Sequence, residues 1–288
     1  MHAQKLRQAI ADKSILIAPG GYDALSAALI EKAGFQSMYL SGASIAYTRF
    51  GRPDIGLVSM NEVAETISVI RERTELPMIV DGDTGFGNAI NVQRTVKLFE
   101  RMGASAIQLE DQQMPKRCGH LKGKSLVSQN EMVGKIKAAV DARANEQTMI
   151  IARTDAIAVE GFDSALERAN AFYQAGADLL FIEAPENIEQ MQIINQTFNG
   201  KVPLLANMVE GGSTPIKSAQ DLENMGYSLV IFPGAMVRAY THMAQEFLNC
   251  IKRDGNTDNY RDRMLDLTGL NELLGTNEIL ANGQKYEG

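Results

Sequence analysis

The sequence predicts an α/β protein built as a single (β/α)8 barrel with a C-terminal helical extension, and three observations carry that prediction. Eight short apolar runs have strand length, helical stretches alternate with them, and polar residues stand at the C-terminal end of nearly every run. Runs that are apolar without alternation are buried on both faces, which together with intervening helices implies a parallel sheet. Eight such units between residues 15 and 232 point to closure. An open doubly wound sheet fits less well, because no GxGxxG follows the first run and because converging polar ends suit one barrel mouth.

In chain order, residues 1–13 are polar and helical in pattern, and strands are predicted over 15–18, 37–40, 78–81, 106–110, 149–153, 179–183, 202–206 and 229–232. Helices are predicted over 24–33, 60–73, 91–102, 129–145, 162–175, 188–198 and 216–225. Gly103 and Gly226, like Gly34 and Gly176, stand between a helix and the next strand, where a left-handed cap suits a residue without Cβ. An apolar helix is predicted from Thr241, and the sequence turns polar around 253–263. With no linker rich in proline or serine, residues 1–240 read as the catalytic barrel and 241–288 as its helical extension.

Composition narrows the function. A net charge of −7 argues against nucleic acid or an anionic membrane as partner and favours a small molecule. Cys118 and Cys250 have no paired spacing, so neither a disulfide framework nor a zinc site is expected, and a reducing cytoplasm fits. Residues 1–13 lack an apolar signal core and no run approaches the ~20 residues of a membrane span, so no export is expected.

The strand ends carry the chemistry. Asp81 and Asp83 flank Gly82 in a glycine-rich turn, where strand alternation would point both the same way, and Glu110 and Asp111 end the next run. With Asp54 in Gly51-Arg52-Pro53-Asp54, these acids form a hard oxygen set suited to Mg2+ or Mn2+, although Asp and Gly are also common turn formers. Arg153 and Glu183 end the fifth and sixth runs; a buried arginine there either clamps a substrate carboxylate or pairs internally with Asp155 or Glu183. Tyr39 through Ser44 offers backbone N–H groups and Ser41 to a small anionic group, and the polar, glycine-bearing loop from Asn207 through Pro215 suits wrapping a second carboxylate. Lys116-Arg117-Cys118-Gly119-His120, flanked by Lys122 and Lys124, sets a thiol among cations, the surroundings that make a cysteine reactive, and Gly119 and Gly123 suit a mobile loop.

Taken in order, YLSGA, GRPDIG, VDGDTGFGN, LEDQ, PKRCGH, ARTDA, FIEAP and ANMVEGG identify the chain as a member of the isocitrate lyase and phosphoenolpyruvate mutase superfamily. KRCGH resembles its carbon–carbon lyase branch. VDGDTGFGN, RCGHLKGK and ANMVEGG are similar to the 2,3-dimethylmalate lyase and petal-death group, with the 2-methylisocitrate lyases next.

The resemblance implies that Asp81 binds the divalent metal while Asp54, Asp83 and Glu110 hold its waters. It implies that Ser41, Gly42 and Ala43 hold the 2-oxo acid portion, with Ala43 standing where relatives commonly have glycine. Arg153 would clamp one carboxylate beside Glu183 and Asn207, and Gly119 and His120 would contact the other. Cys118, Arg153 and Glu110 are the catalytic candidates, with Cys118 as the general acid in a retro-aldol cleavage of a 2-hydroxy dicarboxylate; Tyr39 and a metal-bound hydroxide are candidate bases, and the choice of base stays open. Phe232, Pro233, Phe86 and Met208 are expected to set the size of the alkyl group. A di- or tricarboxylate substrate and a homotetramer with exchanged terminal helices are also implied. The alternatives are an oxaloacetate hydrolase or decarboxylase and, below these, a non-catalytic binding protein.

Overall fold

Eight parallel strands wind through the computed structural model, which describes every residue except Lys13, His120, Lys122, Glu287 and Gly288. They are β1 (Leu16–Gly21), β2 (Met38–Leu40), β3 (Met78–Asp81), β4 (Ala106–Glu110), β5 (Met149–Thr154), β6 (Leu179–Ile182), β7 (Leu205–Asn207) and β8 (Leu229–Phe232). Neighbours pair in the order β6-β5-β4-β3-β2-β1-β8-β7, and a parallel bridge between Leu180 and Leu204 brings β7 back to β6. The sheet is thus a nearly closed barrel, with helices following the strands.

The strands read as continuous apolar runs because both faces are covered. Positions alternate between two clusters, as the two-residue period requires. Inside the barrel lie Tyr39, Ile79, Ala106, Ile151, Phe181, Leu205 and Ile231, joined by Leu6 and Ile10 of the N-terminal helix His2–Ala11. Outside, Met38, Val80, Ile107, Ala152 and Val230 pack with helix residues such as Ile67, Phe99, Ile136 and Phe172. Following the inward face upward along β3, β4, β5 and β7 leads from apolar to polar: Ile79 to Asp81, Ala106 to Gln108 and Glu110, Ile151 to Arg153, Leu205 to Asn207.

Helix ends are set by local chemistry. Ser59 and Glu62 form a capping box at the start of Met60–Arg73, and Gly103 and Gly226 close their helices in the left-handed region at φ 109° and 107°. The helix predicted over 91–102 is Ala89–Met102, because Asn88 caps it by accepting from Ile90 and Asn91 N–H. Similarly, Ser218 starts the seventh-unit helix at Ala219 rather than 216. β7 runs Leu205–Asn207 instead of 202–206; Pro203, which has no N–H for a ladder, precedes it and accepts from Leu180 N–H. The short helix Gly42–Ile45 and the π-helical turn Ala46–Phe50 had no signal in the apolar pattern.

Contacts divide the chain into two units, Met1–Met236 and Val237–Gly288. The helix predicted from Thr241 begins at Ala235 and runs to Asp254. Within the second unit Tyr260 donates to Met243 O at 3.2 Å and stacks edge-on against Phe247, and helices Leu267–Leu274 and Thr276–Gln284 follow. No helix among the described residues is long and apolar enough to cross a membrane.

Candidate active site

The C-terminal ends of the strands meet in a cavity of about 60 Å3 lined by Tyr39, Ser41, Ala43, Asp54, Asp81, Glu110, Lys116, Arg117, Cys118, Gly119, Arg153, Phe181, Glu183, Asn207, Val209, Ile231 and Pro233. A larger cleft of about 920 Å3 opens beside the helices Ala89–Met102 and Gln129–Ala142. Its Glu100 already accepts from Ala144 and Asn145 N–H, and its Arg143 donates to Thr148 O and Asp178, so the convergent chemistry is in the smaller space.

One half of the cavity is acidic. Asp81 lies at the end of β3, and Asp83 is delivered by the turn after it, not by strand alternation: its φ is 47°, and its N–H donates to Asp81 Oδ1 at 3.2 Å. Gly42 makes the approach possible, since a Cβ there would sit 3.2 Å from Asp81 Oδ2 and 3.6 Å from Asp83 Oδ1. Lys116 Nζ bridges Asp54 and Asp83 at 2.7 Å each. Burial works against its charge, but Asp83, Asp81 and Asp54 outweigh that and hold its pKa well above the ordinary lysine value. Burial lifts Asp83 to about 6 against the pull of Lys116, and lifts Glu110 well above the usual carboxylate range against that of Arg153.

Gln108, which the sequence reading did not single out, ties this half together. Tyr39 donates its hydroxyl to Gln108 Oε1 at 3.1 Å, and Gln108 Nε2 donates to Asp81 Oδ1 at 3.4 Å. Burial, then the charge of Asp81, pushes the Tyr39 phenol well above 10, so it stays protonated. Ser41 caps the helix Gly42–Ile45, accepting from Ser44 N–H at 3.2 Å.

The other half is balanced. Arg153 donates from Nε and Nη2 to Asp155 at 2.9 and 3.1 Å, and its Nη1 lies 3.3 Å from Glu110 Oε2. Its guanidinium also stands over the Phe181 ring, 5.1 Å from the centroid. Burial pushes Asp155 up, but Arg153 and Lys124 pull it down to about 2. Asn207 Nδ2 donates to Glu183 at 3.2 and 3.3 Å.

Residues 116–119 cover this arrangement. Cys118 N–H donates to Asp54 O at 3.2 Å, Gln112 bonds both the N–H and the carbonyl of Arg117, and a Cβ on Gly119 would run into Arg153 Nη2 and Glu183 Oε1. Two of the cations read from the sequence as the thiol's surroundings are directed elsewhere: Lys116 to Asp54 and Asp83, Lys124 to Asp155. Buried ammonium groups go to carboxylates, which return more electrostatic energy than a thiol. His120 and Lys122 lie outside the described residues. Phe86 and Met208 do not line the cavity as expected: Phe86 packs against Phe99, ring centroids 6.1 Å apart, and Met208 is in the outer core. Phe232 also packs on the outer core, because a one-residue offset reverses the face; Pro233, Val209, Ile231 and Phe181 line the wall instead.

The donor set fits a hard divalent cation. In and behind the cavity, six carboxylates (Asp54, Asp81, Asp83, Glu110, Asp155, Glu183) face four cations (Lys116, Arg117, Lys124, Arg153), a deficit that a metal would offset. Glu110 Oε1 is buried and has no hydrogen-bond partner among the described residues. No three His, Cys, Asp or Glu side chains converge as a direct ligand set among those residues, and Mg2+, which keeps several waters and takes one or two carboxylates, does not require one.

The family profile described as phosphoenolpyruvate phosphomutase matches residues 6–252. The chain is 45% identical over 277 residues to a 2,3-dimethylmalate lyase of Eubacterium barkeri, covering 96% of this chain and 95% of that protein. It is 45% identical over 270 residues to a 2-methylisocitrate lyase of Aeropyrum pernix, covering 94% and 86%. A crystal structure of 2,3-dimethylmalate lyase superposes with a TM-score of 0.94 at 35% identity, covering 100% of this chain and 96% of that one.

Proposed function

This chain belongs to the phosphoenolpyruvate phosphomutase family, and on that premise we propose that it is a metal-dependent carbon–carbon lyase acting on a 2-hydroxy dicarboxylate of the 2-alkylmalate type, such as 2,3-dimethylmalate or 2-methylisocitrate. The observation that carries the reading is the Cys118 thiol on a segment held over Arg153 and the acid cluster, which sets a proton donor across from a carboxylate clamp. Asp81, with Asp54, Asp83 and Glu110 around it, would hold Mg2+ or Mn2+. The ion supplies Lewis-acid polarisation of the substrate's 2-oxygen and neighbouring carboxylate.

Arg153 orients the substrate through the donors that Asp155 leaves available, with Glu183 and Asn207 beside it, and Ser41, Gly42 and Ala43 receive the part that becomes the 2-oxo acid. The hydroxyl proton passes to a carboxylate of the acid cluster, Glu110 being the catalytic candidate there, the C2–C3 bond breaks with its electron pair on C3, and C2 becomes the carbonyl of a 2-oxo acid such as pyruvate. Cys118 then gives its proton to C3, completing the second carboxylic acid. Tyr39, kept protonated on Gln108, serves binding rather than proton removal. Residues 116–119 cover the cavity; their withdrawal admits the substrate, and their return excludes water before the carbanion forms.

Self-association as a homotetramer gives a use to the exposed apolar side chains of the second unit, among them Leu248, Leu267 and Ile279; size-exclusion chromatography that returns only a 31.5 kDa species would end that part of the reading. A reducing cytoplasm suits an enzyme whose acid is a cysteine outside any disulfide. The main test is a coupled assay for 2-oxo acid release over 2,3-dimethylmalate, 2-methylisocitrate, citramalate and oxaloacetate. Release from one of the first two is expected. Turnover of oxaloacetate alone would replace the lyase with a hydrolase or decarboxylase, and binding without turnover would leave only a binding protein.

A further inference from the structure

We propose that Lys124 is a positioning residue for this reaction, tying the backbone beside Cys118 and the guanidinium of Arg153 into one arrangement through Asp155. The inference rests on the reading of Cys118 as proton donor and Arg153 as carboxylate clamp. In the sequence Lys124 is one of several cations near the thiol. Its side chain is only 1% exposed, and Nζ donates to Asp155 Oδ1 at 2.8 Å and to the carbonyl of Gly119. It is absent from the cavity wall, so it acts through these two partners and not on a reacting atom.

Both partners belong to the machinery. The Asp155 carboxylate that receives Lys124 also receives Nε and Nη2 of Arg153. It is anchored from behind: Asp155 N–H donates to Asp111 Oδ1 at 2.9 Å, and Asp111 also accepts from Thr154 Oγ1 at 2.7 Å and from Arg168 Nη1 at 3.3 Å. Gly119 follows Cys118 and presses its Cα against Arg153 and Glu183, with no room for a Cβ. Cys118 is therefore held from two sides, by Asp54 O on its own N–H and by Lys124 on the next residue's carbonyl. A buried ammonium must keep its partners, so Lys124 favours the one geometry in which thiol and clamp face each other.

The test measures Cys118 directly. In a Cys250→Ser background, where the second cysteine lies outside the site, the rate of iodoacetamide alkylation of the free enzyme is compared for Lys124, Lys124→Met and Lys124→Arg, together with kcat and KM for the lyase substrate. Removing a positive charge by itself raises a thiol's pKa and slows alkylation. Faster alkylation therefore reports loosened positioning. Lys124→Met is expected to alkylate about tenfold faster, equivalent to about 1.4 kcal/mol of lost restraint, and to lose kcat by a similar factor, with a smaller rise in KM. Lys124→Arg should restore most of both. Lys124→Gln, which keeps a donor for Gly119 without the charge, gives the same comparison should the methionine variant not melt cooperatively. Wild-type alkylation and kcat in the methionine and glutamine variants would overturn the proposal. If no substrate in the panel releases a 2-oxo acid, the reaction reading fails, while the alkylation rates still decide whether Lys124 holds Cys118.

Discussion

On one side of the cavity Asp54, Asp81, Asp83 and Glu110 share the ammonium of Lys116 and one edge of Arg153, whereas on the other Asp155 and Glu183 face Arg153 and Lys124. The same residue type behaves oppositely in the two places. Burial dominates for Asp83, which is lifted to about 6, whereas two adjacent cations bring Asp155 down to about 2. Burial of a carboxylate is thus not itself the functional signal; the functional signal is burial without enough compensating charge. In the proposed reaction the balanced half orients the substrate, and the deficient half calls for a cation.

The comparison is broken most strongly on its deficient side. With Asp81→Asn, or after chelation of the native enzyme, 2-oxo acid release should fall by at least about a thousandfold, as expected for several kcal/mol of charge stabilisation, and Mg2+ or Mn2+ should restore only the native enzyme. Turnover that survives both treatments would remove the metal from the mechanism.

Cys118→Ser sharpens the contrast, because it leaves both halves intact and removes only the proton donor. A loss of about a hundredfold in kcat, with dicarboxylate affinity unchanged, is expected from single- and multiple-turnover kinetics. Equal losses in affinity and turnover would mean that the thiol belongs to binding.

The smallest effect tests the balanced half. Asp155 has its folded pKa at about 2, below the ordinary 3.8, so the stability it contributes is present above 3.8 and is lost as pH falls through that range toward 2. The shift corresponds to roughly 2 kcal/mol for this fully buried group. The difference in urea midpoint between the native chain and Asp155→Asn should therefore hold steady from neutral pH to about 4.5 and shrink below it. An unchanged acid slope in that variant would show that Arg153 and Lys124 do not hold Asp155 ionised.

Much of this molecule was legible before folding. The strands were placed to within a few residues because apolar runs between capped helices are local signals, and Asp81, Glu110, Arg153 and Asn207 could be read as site candidates from their place at strand ends. Other residues carried no such signal. Gln108 sits mid-strand among apolar neighbours, and only the approach of β2 and β3 shows that it joins Tyr39 to Asp81. Phe86 and Met208 looked like pocket walls by proximity in sequence, but each lies on the outward side of its segment and packs into the outer core.

The amino-acid sequence by itself determined the β/α alternation and the supply of carboxylates, arginine and thiol at the barrel mouth. Period, capping and strand-end position act over a few residues and need no tertiary partner. Folding chose which charge meets which: that Lys116 reaches Asp54 and Asp83, and that Lys124 reaches Asp155 and the carbonyl beside Cys118. A lysine's reach spans several acids once the chain is folded, and the choice among them is made by desolvation and distance in the assembled cavity.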